Sequence, residues 1–259
     1  MNYRLPGVSL LFGSLMLLSG CADQGTDPQR STKLRISLTD APAAFEAVNI
    51  TFSEFSAHID SEWITVRGEP VTVNLLEWNN GKSIVIGTAE VPAGHYTQIR
   101  LKIQSAEVVV DGQTHALEVP SGAQSGLKLV HQFTIDPGST YELLIDFDAE
   151  RSIVSTGPPG NPRRFLLKPT IRVVPKAITG SISGVVANPQ DLPTAYAIVD
   201  NDTVTSAGVD TSSGAFVLAF LPPATYRVAI SDTLEHDFIQ DGVTVVAGAN
   251  QDLGAIALQ

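Results

Sequence analysis

Hydrophobic and polar residues alternate with a period of two along most of this chain. Leu34, Ile36 and Leu38 fall on one side of a stretch whose other side is Lys33, Arg35 and Ser37. That is the pattern of a strand with one buried face. Similar runs predict strands at 47–59, 62–67, 71–75, 83–91, 96–103, 107–110, 114–119, 127–135, 140–148 and 164–174. Asn79-Asn80-Gly81 is a turn signal, and Asp111-Gly112 reads as the turn of a hairpin. Asp40-Ala41-Pro42 predicts a turn or a short helical start, with Asp40 as the cap and Pro42 in the first turn. No segment carries the longer period that a long helix requires.

The pattern changes after Pro175-Lys176-Ala177. Short strands are expected at Ser181–Ala187, Thr194–Val199, Thr203–Val209, Ala215–Phe220, Tyr226–Ile230, Phe238–Val245 and Leu253–Leu258. Seven short strands joined by tight turns are the arithmetic of a β-sandwich. The expected fold is all-β, with two β-sandwich domains at 33–175 and 178–259, the second Ig-like with about seven strands. Val91-Pro92-Ala93-Gly94-His95-Tyr96 and Leu221-Pro222-Pro223-Ala224-Thr225-Tyr226 both place a proline turn before a strand led by tyrosine. This echo favours a sandwich for the first domain as well.

The N-terminus breaks the alternation. Arg4 precedes an apolar run from Val8 to Leu18, too short to span a bilayer and suited to the core of a signal peptide. It ends in Leu18-Ser19-Gly20-Cys21, which resembles the lipobox of bacterial lipoproteins. That resemblance implies a signal peptide over residues 1–20, cleavage before Cys21 and diacylglycerol on its thiol. Cys21 is the only cysteine, so no disulfide competes for it. Residues 22–32 are small and polar and read as a flexible tether. Ala22 in place of aspartate points, for a Gram-negative host, to the outer membrane. The membrane is thus one expected partner, reached through lipid.

Composition narrows the function classes. The net charge is −11, which disfavours nucleic acid as a partner. The hydrophobic share of 43% is ample for packed cores. No G-x-S-x-G elbow is present, and His58, His95, His115, His131 and His236 fall in no H-E-x-x-H arrangement. No catalytic residue and no cofactor is therefore expected. Asp146 and Asp148 share one strand face and, with Asp40 or Asp136, are candidates for Ca²⁺; the alternative is a solvated edge strand paired with Arg151 or Lys168. Asp200-Asn201-Asp202 and Asp210-Thr211-Ser212-Ser213-Gly214 read as turns. Trp63 and Trp78 are the candidate platforms for a sugar, or else core or rim residues. Residues 155–164 form the longest stretch without a pattern, a recognition loop or a hairpin tip.

Two resemblances follow from ordered motifs. Ser37-Leu38-Thr39-Asp40-Ala41-Pro42, the stretch from Val91 to Arg100, Pro120 to Leu129, Asp146-Phe147-Asp148-Ala149 and Leu167-Lys168-Pro169 resemble the domain of unknown function 4382. That family implies a secreted β domain without an established activity. Ser213 to Leu218, Leu221 to Val228 and Leu253 to Leu258 resemble the carboxypeptidase regulatory-like domain, with Ala224 where glycine is usual. That resemblance implies a transthyretin-like accessory module. The expected protein is a non-enzymatic, lipid-anchored component of the cell envelope that binds or scaffolds. Its partner would be another envelope protein or, in the alternative, a glycan; an enzyme is a third reading.

Overall fold

The computed structural model describes Met1 and residues 31–157 and 164–259. The expected signal peptide, the lipidated Cys21, most of the tether and the middle of the 155–164 loop lie outside the described residues.

The first part of the chain forms β1 (Lys33–Asp40), β2 (Ala47–Ile59), β3 (Glu62–Arg67), β4 (Val71–Asn74), β5 (Ile84–Glu90), β6 (Gly94–Val110) and β7 (Gln113–Glu118). A short helix α1 (Ser121–Gly126) leads into β8 (Leu127–Ile135) and β9 (Thr140–Phe147). A single turn, α2 (Ala149–Ser152), leads into β10 (Ile153–Thr156), β11 (Arg164–Leu167) and β12 (Ile171–Pro175). The remainder is β13 (Gly180–Val186), β14 (Thr194–Val199), β15 (Asp202–Gly208), β16 (Ala215–Leu221), β17 (Ala224–Ser231), β18 (Asp237–Val245) and β19 (Asn250–Ile256).

These strands build β-sandwiches around two cores. In the first, a sheet ordered β12-β9-β1-β5 faces a larger sheet of β10-β11-β7-β6-β2-β3, to which β4 and β8 are added. Leu34, Ile36 and Leu38 of β1 are fully buried in one core with Phe52, Phe55, Tyr96 and Phe147. In the second, β16-β13-β19 faces β15-β14-β17-β18 around Ile182, Phe216, Leu218, Tyr226 and Val228. Burying such side chains contributes about 1.5–3 kcal/mol each.

Both sandwiches carry the same local lock. The Tyr96 hydroxyl donates to the Pro92 carbonyl at 2.7 Å, and the Tyr226 hydroxyl to the Pro222 carbonyl at 2.7 Å. Each is a tyrosine corner, fixing the chain as it enters a strand. Gly94 before the first corner has a φ of +147°, and a Cβ there would meet Ile59 Cδ1 at 2.8 Å. Ala224 occupies the matching place with an ordinary negative φ, so the second corner closes without glycine.

Several elements differ from the sequence expectation. The strands expected at 96–103 and 107–110 are one strand, β6. Burial alternates through Ile99, Leu101 and Ile103, then resumes one residue out of phase at Ala106 and Val108. The register against β2 jumps there, from Ile103 opposite Phe52 to Ser105 opposite Thr51. A β-bulge at Gln104 breaks the period of two without ending the strand. The strand expected at 164–174 is two, β11 and β12, broken around Pro169, which has no amide to give to a ladder. Residues 155 and 156 belong to β10 and pair with β11. Asp40 ends β1, and no helix follows it; it binds the start of α2 instead. β9 is not an edge strand, because β1 and β12 flank it.

Candidate functional site: the cleft between the sandwiches

The second sandwich meets the first through a few polar bonds. Asn80, in the turn before β5, accepts the Val217 amide at 2.6 Å. Arg172 of β12 donates Nε to Asp146 at 3.1 Å, adds a shorter bond through Nη2, and donates Nη1 to the Phe220 carbonyl at 3.1 Å. Phe220 holds a φ of +55°, unusual for a side chain of its size. Beside these bonds lies a cleft of about 520 Å³.

One wall comes from the first sandwich. Asp148 caps α2, accepting the Arg151 amide at 2.9 Å, and its second oxygen lies 3.5 Å from Arg151 Nε. Glu150 accepts the Ala44 amide at 2.9 Å and holds the Pro42–Ala44 loop against the turn. The opposite wall comes from the second sandwich. Ala195 and Ala197 point into its core, so alternation turns Thr194 and Tyr196 outward. Thr203, Ser206 and Gly208 of β15 complete that wall. Arg151 Nη1 donates to the Thr203 carbonyl at 3.4 Å and ties the two walls.

The rim is pre-shaped. Leu192 is left-handed, with φ 52° and ψ 53°, and the residue is 64% exposed. Backbone strain of this kind persists only where the surroundings impose it. Here Thr233 donates both its amide and its hydroxyl to the Asp191 carbonyl, at 3.0 and 3.1 Å.

A second, water-sized polar cavity of about 10 Å³ sits between Thr39, Asp40, Asn80, Asp146, Ser206 and Phe220. Asp40 Oδ1 accepts the Ala149 amide at 2.9 Å, while Oδ2 is buried without a partner. Burial pushes the Asp40 carboxyl well above its ordinary range; the Ala149 bond lowers it in part, and Asp146 and Asp148 raise it further. Asp148 is also raised, first by burial, with the Arg151 amide and guanidinium opposing.

The structure thus brings Asp40, Asp146 and Asp148 into one neighbourhood but commits them to Ala149, Arg172 and Arg151. Asp146 is buried rather than solvated, and its cation is Arg172 rather than Arg151 or Lys168. Asp136 lies in the β8–β9 turn. Among the described residues, no group of three or more His, Cys, Asp or Glu is placed to hold a metal ion. Asp210 binds Ser212 and Ser213 in its own turn.

Neither tryptophan lines the cleft. Trp63 packs against His58 at 5.0 Å and carries the Arg100 guanidinium over its ring at 4.3 Å. Trp78 packs half-buried against the first core. The histidines are scattered: His58 bonds Thr97, His95 bonds Thr134, His115 packs on Phe165, His131 lies near Phe133, and His236 pairs with Asp232. Tyr196, the aromatic that does line the cleft, stands in the sequence among the aromatics of the second domain, which Trp63 and Trp78 outrank as sugar platforms. Its neighbours across the cleft come from segments far away in sequence.

Fold and site together define an all-β protein of sandwich domains with a cleft at their junction. The profile of the family described as Domain of unknown function (DUF4382) matches residues 31–169, and the chain belongs to that family. No curated protein matches the sequence. Solved structures similar to it include the Bacillus anthracis TIE protein, at 9% identity and a TM-score of 0.24, covering 89% of this chain and 51% of that one. A C-terminal fragment of the pilus adhesin SpaC from Lactobacillus rhamnosus GG is 10% identical, with a TM-score of 0.19, over 88% of this chain and 97% of the fragment. A fimbrial protein from Bacteroides ovatus is 8% identical, with a TM-score of 0.23, over 88% and 50%. The chain spans about half the length of the first and third of these.

Proposed function

We propose that this chain is a lipid-anchored protein of the cell envelope that holds a ligand, without catalysis, in the cleft between its sandwiches. The cleft itself carries the reading. Its volume lies within the ~300–1,000 Å³ range of small-molecule sites, and domain junctions are favoured places for them. Among the described residues its lining contains no histidine, cysteine or lysine, and Asp148, Glu150 and Arg151 each make a bond that holds the walls. Such a lining orients and binds. The run to Leu18-Ser19-Gly20-Cys21 supports the anchor, and Ala22 supports the outer membrane. No described helix is long and apolar enough to cross a membrane. The Leu221 to Val228 motif supports a carboxypeptidase regulatory-like accessory module in the second sandwich.

Two experiments test this. Mass spectrometry of the native N-terminal peptide is expected to find diacylglycerol on Cys21; an unmodified thiol refutes the anchor. A ligand-observed NMR fragment screen on the full chain is expected to give hits that Gly208→Leu removes. A Cβ at Gly208 meets only Pro42 Cβ at 3.6 Å, so the new side chain fills the cleft without backbone strain. Hits indifferent to that plug refute the cleft as the site.

A further inference from the structure

We infer that the cleft takes a neutral or amine-bearing saccharide, an assignment that rests on the cleft being a binding site at all. Three chemistries compete for such a lining, and its groups discriminate among them.

Anionic ligands are disfavoured. Among the described residues, Asp148 and Glu150 line the cleft against one cation, Arg151, whose guanidinium already lies 3.5 Å from Asp148 and 3.4 Å from the Thr203 carbonyl. An anion would meet an Arg151–Asp148 pair already balanced in charge and the Glu150 carboxylate beside it. The chain's charge of −11 repels it at longer range.

A wholly apolar ligand is disfavoured as well. Thr194, Thr203, Ser206 and Thr233 line the same cleft. Covering their hydroxyls with hydrocarbon removes water from groups that gain nothing in return.

A saccharide meets both parts of the lining. Its C–H faces pack on the apolar surfaces of Tyr196, Pro42 and Pro193, and the exposed Leu192 lines the same cleft. Its hydroxyls bond the wall hydroxyls and the carboxylates, which retain free acceptor positions beyond their single amide bonds. An amine is drawn by the same carboxylates. The platform is a tyrosine from the second sandwich, in place of Trp63, whose ring face Arg100 covers, or Trp78, which packs on the first core.

The test is saturation-transfer NMR on the full chain in a sugar-free detergent, with triacetylchitotriose, maltotriose, glucosamine and sialyllactose as probes. The expected result is transfer to at least one of the first three and none to sialyllactose. Tyr196→Ala should weaken binding at least tenfold, Gly208→Leu should abolish it, and Trp63→Ala should leave it unchanged. Saccharide signals that survive both Tyr196→Ala and Gly208→Leu overturn the assignment. Equal binding of sialyllactose overturns it too. Cleft-dependent hits from the fragment screen or from a peptide library, with all four sugars silent, keep the cleft as a site and overturn its saccharide chemistry.

Discussion

Asn80 Oδ1 accepts the backbone amide of Val217 at 2.6 Å, joining a turn of the first sandwich to a strand of the second. Asn80 itself is left-handed, with a φ of 53°, a conformation asparagine tolerates better than most residues. Asn80→Ala therefore loses a partner for a half-buried amide and adds backbone strain. We expect a loss of about 1–3 kcal/mol and faster proteolysis between residues 175 and 180, read by timed digestion. An unchanged cleavage rate refutes Asn80 as a junction clamp.

The two tyrosine corners make a paired prediction. Tyr96→Phe and Tyr226→Phe each leave a proline carbonyl without its donor, costing about 1–2 kcal/mol apiece. Tyr96 and Tyr226 belong to separate cores, so the costs should add in the double variant. Denaturant melts of the single and double variants measure this.

Asp40 is expected to make stability fall as pH rises. Its carboxyl is raised in the fold, so the folded protein binds more protons than the unfolded chain above the ordinary value of 3.8. Its contribution is full below that value and is lost as pH rises through the raised pKa. Asp40→Asn keeps an acceptor for the Ala149 amide and removes a buried charge that Asp146 and Asp148 repel. It should stabilise the protein at pH 8 by about 1–3 kcal/mol and flatten the decline above pH 4, as followed by melting temperature against pH. A parallel pH profile in the variant counts against this role.

Glu54 has the opposite sign. The Lys102 ammonium, at 2.7 Å, holds its carboxyl below the ordinary 4.5, with Arg100 and Ser56 adding to the effect against burial. Stability from this group is present above 4.5 and lost as pH falls through the lowered pKa. Glu54 is partly exposed, so Glu54→Gln should cost less than about 1 kcal/mol at pH 7 and nothing at pH 2. Urea melts at the two pH values decide it.

Much of the strand pattern was legible because alternation records which face is buried. The bounds expected for β2, β3, β8 and β14 match those observed, and β2 runs unbroken although its buried set moves from Val48, Ile50 and Phe52 to Phe55, Ala57 and Ile59. β6 was misdivided because a bulge at Gln104 shifts the phase, and phase is all the pattern reports. The site was less legible. Pro42, Asp148, Tyr196 and Thr233 lie far apart in sequence and meet only when two sandwiches dock. Asp40 was readable as a cap, but its partner Ala149 lies on a distant turn that parallel pairing of β1 with β9 delivers.

That parallel pairing also orders events in time. Lys33 lies beside Thr140, and Asp40 beside Phe147, so the first strand of the fold finds this neighbour only after more than a hundred intervening residues exist. Contacts so remote in sequence slow the search for the native state. A chain emerging amino end first must leave the N–H and C=O groups on that edge of β1 unpaired throughout the delay. Helpers that shield nascent chains would have their longest task at this strand.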